Sequence, residues 1–141
     1  MASSKQKGDK NELEARTIYE DAGYLVENPN FYRYGNKDFF NLFDFMAIRP
    51  DSKVVFGQVK TNRAQGINAF ADEVREHFNF DHVIIEYWVR YNREGWRVIQ
   101  ITPDGREDII DERDSSENIG DVARREKSKP IEEQPMAYMS E

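Results

Sequence analysis

Three polar residues near the middle of the chain have the types and spacing to hold a divalent metal ion and a phosphate. Asp44 lies in the segment FDFMAI, and Gln58 and Lys60 lie in the segment GQVK. Each segment reads as a strand, and a turn from Arg49 to Lys53 separates them. If the strands pair around this turn, Asp44 comes opposite Gln58 and Lys60, which share one face. An acid, an amide oxygen and an ammonium then meet in one small space.

A purely structural interpretation of these residues also stands. The first strand is expected to place Phe43, Phe45 and Ala47 on one face and Asp44, Met46 and Ile48 on the other. The second strand, Lys53 to Lys60, carries Gln58 and Lys60 at the end of an otherwise apolar face. Polar groups at the end of a buried face need partners. Asp44 and Lys60 are therefore either chemical groups or a structural salt bridge.

A helix is expected before these strands, from about Asn11 to Ala22, with Asp9 or Asn11 as its N-cap. Its buried stripe is expected to contain Leu13, Ile18 and Ala22, with Ala15 and Tyr19 beside it. Gly23 is placed to end the helix as the C′ residue. Glu12 lies in the first turn, where a carboxylate interacts favourably with the helix dipole.

A short strand is expected at Tyr24 to Glu27, followed by an aromatic and basic loop at residues 29–40. This loop contains Arg33 and Lys37 among its aromatic residues. Interleaved aromatic and cationic side chains suit stacking on bases and contact with phosphates. The alternative is that the aromatic side chains pack back onto the sheet. The sequence leaves both interpretations open.

The rest of the chain completes an α/β sandwich. A second helix is expected at Asn68 to Phe78, and strands are expected at residues 82–91 and 96–102. The resulting order is αβββαββ, a mixed sheet of about five strands flanked by helices. The first three strands form an antiparallel meander, and the second helix crosses over to the fourth. Ile109 and Ile110 are candidates for a short edge element.

Composition divides the chain and excludes several classes of site. Residues 1–110 form one domain, and residues 111–141 are expected to be a charged, flexible tail or to hold a marginal helix at residues 119–127. The absence of cysteine excludes disulfides, thiolate zinc sites and cysteine nucleophiles. His77 and His82 have no ligand spacing. No apolar run is long enough for a membrane span, so a cytoplasmic location is expected. The net charge of −7 argues against tight DNA binding without a metal.

The ordered motifs resemble the PD-(D/E)XK nuclease superfamily, and most closely the archaeal Holliday-junction resolvases. Lys7 and Gly8 followed by Glu12 are similar to the resolvases' opening Lys-Gly-x-x-x-Glu. The segment Gly23-Tyr24-x-Val26 is similar to their helix-to-strand junction. Asp44 stands at the position of the family's metal-binding Asp, and Gln58-Val59-Lys60 replaces Glu-x-Lys. The resemblance covers residues 5–101.

The resemblance implies a restriction-endonuclease-like core and a metal-dependent endonuclease that hydrolyses DNA phosphodiester bonds. Asp44 and the Gln58 side-chain oxygen would ligate Mg²⁺ with the backbone carbonyl of Val59. Glu12 would approach the metal directly or through water, and Lys60 would orient the attacking water or stabilise the phosphate charge. Oxygen ligands with few carboxylates suit Mg²⁺, and Mn²⁺ is the expected substitute.

The resemblance also implies a partner, a candidate DNA surface and an assembly. The partner is DNA, with branched DNA and a role in recombination or repair as the narrower expectation. The candidate DNA contacts are Lys7, Arg33, Lys37, Asn62 and Arg63. A homodimer is expected because two symmetric cuts require two active sites.

Two departures from the family pattern support an alternative function. Gln58 brings no charge where the family has Glu, so metal affinity is expected to fall, with Asp38 as a candidate for the missing charge. Phe43 stands where the family has Pro. The alternative is a catalytically inactive module on the same fold that binds DNA or another protein.

Overall fold

One mixed sheet of six strands runs through the part of the chain that the structure, a computed structural model, describes. The described residues are 4–29, 39–40, 42–114 and 116–128. In chain order the elements are α1 (Ser4–Asp21), β1 (Leu25–Glu27), β2 (Phe45–Ile48), β3 (Val54–Thr61), α2 (Ile67–His77), β4 (Val83–Tyr91), β5 (Gly95–Ile101), β6 (Arg106–Asp111) and α3 (Gly120–Arg124). Within these residues, no helix is both long and apolar enough to cross a membrane.

The spatial order of the strands follows their order in the chain, from β1 to β6. The strands β1, β2 and β3 pair antiparallel, which confirms the expected meander. The helix α2 then connects β3 to β4, and these two strands pair in parallel. The strands β5 and β6 return antiparallel. The α/β class is therefore confirmed.

The expected count of about five strands is wrong, because β6 adds a sixth at the edge of the sheet. Its first half is charged and exposed, so the sequence signal is weak there. A register irregularity between Val98 and Ile99 interrupts the pairing of β5 with β6. Ile109 and Ile110 are consecutive and yet both buried, which a regular alternation would not allow.

The helix α1 begins at Ser4 rather than near Asn11. Residues 4–10 are polar or glycine, and Gln6, Lys7, Asp9 and Lys10 are exposed, so no hydrophobic period marks this part of the helix, although Lys and Gln favour helices. Ala15 and Tyr19 are fully buried, whereas Leu13 is 53% exposed, so the stripe expected to contain Leu13 is wrong there. Gly23 ends the helix with a φ of 93°, as expected of a C′ glycine.

Each face of the sheet has its own apolar core. The α1-side core contains Ala15, Tyr19, Tyr24, Phe45, Ala47, Val55, Val59, Ile84, Trp88, Trp96, Val98, Ile109, Ile110, Val122 and Ala123. The α2-side core contains Phe43, Phe56, Ile67, Phe70, Ala71, Val74, Ile85, Tyr87, Val89, Ile99 and Ile101. Helices therefore cover both faces of the sheet, as a central parallel pair requires.

Phe43 does not share a face with Phe45, contrary to the expected alternation. The strand β2 begins only at Phe45, and Phe43 forms an isolated bridge with Phe39. The Phe43 ring stacks on Phe56 in the α2-side core at a centroid distance of 4.7 Å. The period of two applies only within a regular strand, so it fails at this residue.

The packed part of the chain continues beyond residue 110, where the domain was expected to end. Val122 and Ala123 of α3 are fully buried in the α1-side core. The Lys53 amide donates to the carbonyl of Lys127 at 2.7 Å, and Ser52 bridges to Ser128. Residues 116–128 therefore cover one face of the sheet, and residues 129–141 of the expected tail lie outside the described residues.

Gly57 provides the space in which the Phe45 ring packs against β3. A Cβ atom at residue 57 would lie 2.1 Å from Cε2 of Phe45, its cross-strand partner. We expect Gly57→Ala to lower the unfolding free energy by about 1–3 kcal/mol, because the buried Phe45 ring must move. Urea denaturation measures this change.

The matched control is Gly8→Ala in α1, where a Cβ would meet no atom within 4 Å. Alanine should stabilise this helical position by about 0.5–1 kcal/mol. Equal stability of Gly57→Ala and the parent protein would contradict the close packing of Phe45 on β3.

Candidate active site

Asp44 immediately precedes β2 and continues the pairing with β3 beyond the first residue of that strand. The first residue of β2, Phe45, pairs with Gly57 of β3. Beyond it, the Asp44 amide donates to the Gly57 carbonyl at 2.7 Å, and Oδ2 of Asp44 accepts from the Val59 amide at 2.8 Å. Asp44 is only 7% exposed. The predicted placement of Asp44 opposite the Gln58 to Lys60 segment is therefore confirmed.

The backbone of Val59 faces the same side of β3 as Asp44. The N–H and C=O of one strand residue point toward the same neighbouring strand. The Val59 N–H points to Asp44 rather than to β4. The Val59 carbonyl therefore also points toward the side where β2 has ended. The Asp44 carboxylate and the Val59 carbonyl are thus on the same side of β3, as the expected metal ligands require.

Gln58 and Lys60 lie on the α2-side face of β3 and are both half-buried. The Gln58 amide satisfies both its neighbours when its nitrogen donates to the Leu42 carbonyl at 2.5 Å and its oxygen accepts from Nζ of Lys60 at 3.2 Å. In this orientation of the amide, the oxygen expected to ligate a metal accepts from the ammonium expected to contact a phosphate. A ligand at this site has to compete with that hydrogen bond.

Tyr87 is a member of this site that the sequence did not indicate. It is the partner of Gln58 in the parallel pairing of β3 with β4. Its hydroxyl donates to the backbone carbonyl of Gln65, in the loop before α2. Burial raises the pKa of Tyr87 to about 12, and the negative charge of Asp44 contributes in the same direction. Only the β3–β4 register identifies this residue, because Tyr87 otherwise reads as one apolar residue among others in a strand.

Glu12 lies on α1, which meets the same end of β3 from the opposite face of the sheet. The preceding residue, Asn11, donates from Nδ2 to Oγ1 of Thr61 at 2.9 Å, and Thr61 follows Lys60. This bond fixes the first half of α1 beside the end of β3. Glu12 is half-buried there. The structure therefore groups Asp44, Val59, Gln58 and Lys60 closely, and it positions Glu12 on the helix that adjoins them.

The candidate DNA contacts are only partly within the described residues. Lys7 and Arg63 are exposed. Asn62 has a φ of 66°, and its Oδ1 accepts from the Asn92 amide at 2.9 Å, so its side chain secures the turn between β4 and β5. Arg33, Lys37 and Asp38 lie outside the described residues.

A second group of possible metal ligands lies on the exposed surface of α2. Glu73, Glu76 and His77 have ligand atoms within 4.8 Å of one another, and all three are exposed. Nε2 of His77 lies 3.6 Å from Oε1 of Glu73, one helical turn away. This spacing is typical of a surface pair on a helix. The sequence had assigned His77 no such role.

The donors around Asp44 fit a hard divalent cation in kind, since all are oxygen atoms of carboxylate, carbonyl or amide groups. Comparisons with models of protein families and with curated proteins found no match to this chain. The geometry of the site is therefore the basis for assigning a function.

Asp44→Ala should destabilise the fold, because it removes the acceptor of the buried Val59 amide. We expect the unfolding free energy in urea to fall by about 1–3 kcal/mol. Asp44→Asn keeps an acceptor oxygen and should lose less than half of that amount. Asp51→Ala, which changes an exposed Asp paired to Arg49, is the control and should change little. Equal losses for Asp44→Ala and Asp51→Ala would contradict the structural role of the Asp44 carboxylate.

The raised pKa of Tyr87 predicts a loss of stability in alkali. Below the ordinary tyrosine pKa of 10.0, both the folded and unfolded states hold the proton, so the stabilisation is complete. As the pH rises toward about 12, the unfolded state has lost the proton while the folded state retains it, and stability falls.

Tyr87→Phe lacks this ionisation and is the matched variant. The difference in unfolding free energy between the parent protein and Tyr87→Phe should shrink by roughly 1–3 kcal/mol over that interval. Burial also raises the pKa of Tyr19, but Tyr19 is present in both proteins, so its contribution cancels in the difference. Urea denaturation across the alkaline range measures the difference, and parallel curves for the two proteins would contradict the prediction.

Proposed function

We propose that this chain is a metal-dependent endonuclease that hydrolyses DNA phosphodiester bonds at the end of β3. The observation that carries the proposal is the convergence of the Asp44 carboxylate, the Val59 carbonyl and the Gln58–Lys60 pair where β2 ends. The element order and the parallel pairing of β3 with β4 support a restriction-endonuclease-like core as part of the same proposal.

Each residue has a physical role in this proposal. The Val59 amide holds the Asp44 carboxylate in one orientation at 2.8 Å. Asp44, the Val59 carbonyl and the Gln58 oxygen would hold Mg²⁺, with Glu12 reaching it from α1. When bound, the metal supplies Lewis-acid stabilisation of phosphate charge and lowers the pKa of its bound water. Lys60 presents a point charge to a phosphate oxygen once the Gln58 oxygen releases it.

The charge of the chain determines how DNA would be bound. The net charge of −7 gives little long-range attraction for phosphates. Exposed cations such as Lys7 and Arg63 would contact the backbone close to the site. Binding should therefore depend on the metal, and it should weaken with salt in proportion to the number of phosphate contacts. Selectivity for branched DNA and action as a homodimer, with one active site for each cut, are the finer parts of the proposal.

The hydrogen bond between the Gln58 oxygen and Lys60 favours a second candidate function. In this arrangement the protein itself satisfies both groups, and Gln58 contributes no charge to a metal site. A module of this kind would bind DNA or another protein without cleaving it. The two candidates differ in one property, which is whether the site takes up Mg²⁺ or Mn²⁺.

A cleavage assay with Mg²⁺ and with Mn²⁺ tests the endonuclease directly. The substrates are a four-way junction, a flap, single-stranded DNA and a linear duplex. We expect Lys60→Ala to lower the cleavage rate by about 10²–10³-fold, as for the loss of one charge-stabilising group. Gln58→Glu should raise cleavage at limiting Mg²⁺, because it adds a negative charge to the metal ligands. Lys10→Ala, which changes an exposed lysine of α1, is the matched control and should cut like the parent.

Two outcomes would overturn the endonuclease. One is a folded parent protein that cuts none of the four substrates with either metal, and the other is equal cleavage by Lys60→Ala. Calorimetry with Mg²⁺ and with Mn²⁺ distinguishes the two candidates independently of cleavage. Absence of a Mg²⁺ or Mn²⁺ site in the parent protein and in Gln58→Glu would support the binding module.

A further inference from the structure

A cavity of about 280 Å³ lies on the α1-side face of the sheet, beneath the segment that follows α3. Its walls come from the strands β4, β5 and β6 and from residues 125–128. It begins near Lys53, at the opposite end of β3 from Lys60. The cavity is therefore separate from the candidate active site in both face and position.

The floor of the cavity contains a buried carboxylate, that of Glu86, which is only 1% exposed. The Tyr19 hydroxyl donates to Oε1 at 2.7 Å, and the Trp88 indole N–H donates to the same oxygen at 3.0 Å. Both hydrogen bonds that Glu86 receives from the described residues thus go to Oε1. No fully buried side-chain oxygen of the described residues lacks a partner, so Oε2 must open on the cavity.

A buried ammonium, that of Lys127, lines the same cavity and is 7% exposed. Its Nζ donates to the backbone carbonyls of Val122 and Arg125 rather than to Glu86. An ammonium has three N–H donors, and these two carbonyls account for two of them; Nζ also lies 5.5 Å from the centre of the Tyr19 ring. The charges of Glu86 and Lys127 nevertheless interact, and burial raises the pKa of Glu86 and lowers that of Lys127. An acceptor and a donor therefore line one small space without bonding to each other.

The charges of the lining cancel. The acids are Glu86, Glu107 and Glu126, and the bases are Lys53, Arg125 and Lys127. A cationic or an anionic ligand would meet like charge on some wall, which is unfavourable. Ile84 and Ile109 add apolar surface suited to a flat face. The volume lies just below the usual range for ligand pockets, about 300–1,000 Å³, so the occupant must be small.

We infer that this cavity binds a small, uncharged, planar molecule whose edge carries an N–H donor beside a carbonyl acceptor. The N–H donates to Oε2 of Glu86, and the carbonyl accepts from Nζ of Lys127. Amides, ureas and free pyrimidine bases share this edge. The site does not depend on the proposed endonuclease, because it lies on the other face of the sheet.

The test uses the full chain and uracil as the probe, followed in ¹H–¹⁵N spectra. The chain has two tryptophans, and the indole N–H of Trp88 bonds to Glu86 while that of Trp96 bonds to Glu14. Uracil should shift the Trp88 indole resonance in a saturable way and leave the Trp96 resonance less affected. The compound 1,3-dimethyluracil keeps the ring and the carbonyls but lacks N–H, so it should give no saturable shift. Acetamide, which has the same edge without the ring, should shift Trp88 more weakly than uracil.

Glu86→Gln should weaken uracil binding at least tenfold. The glutamine oxygen keeps the bonds from Tyr19 and Trp88, so its NH₂ faces the N–H of the probe. Glu107→Gln makes the same change of charge at the exposed rim and should bind like the parent. Gln100→Phe fills the cavity without removing the hydrogen bonds of Glu86, so it should also abolish the uracil-induced shift of the Trp88 resonance. This variant provides the test if Glu86→Gln does not fold.

Several results would overturn the inference. They are the absence of a Trp88 shift with either uracil or acetamide, equal shifts with uracil and 1,3-dimethyluracil, and unchanged uracil binding in folded Glu86→Gln or Gln100→Phe. A saturable response to guanidinium or acetate alone would show that the cavity selects an ion instead. A cavity that holds only water would give the first of these results.

Discussion

The structure depends on how the central strand β3 satisfies its backbone where its neighbour β2 stops. A buried strand cannot leave an N–H group without an acceptor, because the cost of desolvation is not recovered. Asp44 supplies that acceptor to Val59 from the residue that precedes β2. The same bond places a carboxylate beside Gln58 and Lys60. The requirement of the fold and the chemistry of the candidate site are thus met by one side chain, so substitutions at Asp44 affect both.

Local patterns in the sequence account for much of this arrangement. The alternation of side chains in β3 and the tight turn before it predict that Gln58 and Lys60 share one face and that Asp44 lies opposite them. The structure has this arrangement. The end of α1 at Gly23 and the helix α2 that connects β3 to β4 are also predicted by local patterns in the sequence. The periodic patterns gave wrong predictions where the helices and strands are irregular or end. Phe43 lies before its strand, Leu13 lies off the buried stripe of α1, and the irregular pairing of β6 obscures its period.

The features that the sequence could not indicate are contacts between distant residues. Tyr87 joins the site only through the register of β3 with β4, which a helix separates in the chain. Glu86 reads as one acid in an apolar strand, and its bond from Tyr19 spans 67 residues. No local period encodes such a pair. The Gln58–Lys60 bond depends on side-chain orientation toward Leu42, which spacing along a strand does not specify.

The segment that carries α3 also sets the order in which the protein can be completed during synthesis. Val122 and Ala123 fill the α1-side core, and the Lys127 carbonyl accepts from Lys53, far earlier in the chain. Contacts of such long separation form slowly, since the loop must close before they contribute. On the ribosome, the strands β1 to β6 emerge before this segment does. Until then the part of the α1-side core that Val122 and Ala123 cover stays open to water and to other chains. A nascent chain in this interval still exposes the apolar surface that Val122 and Ala123 later cover.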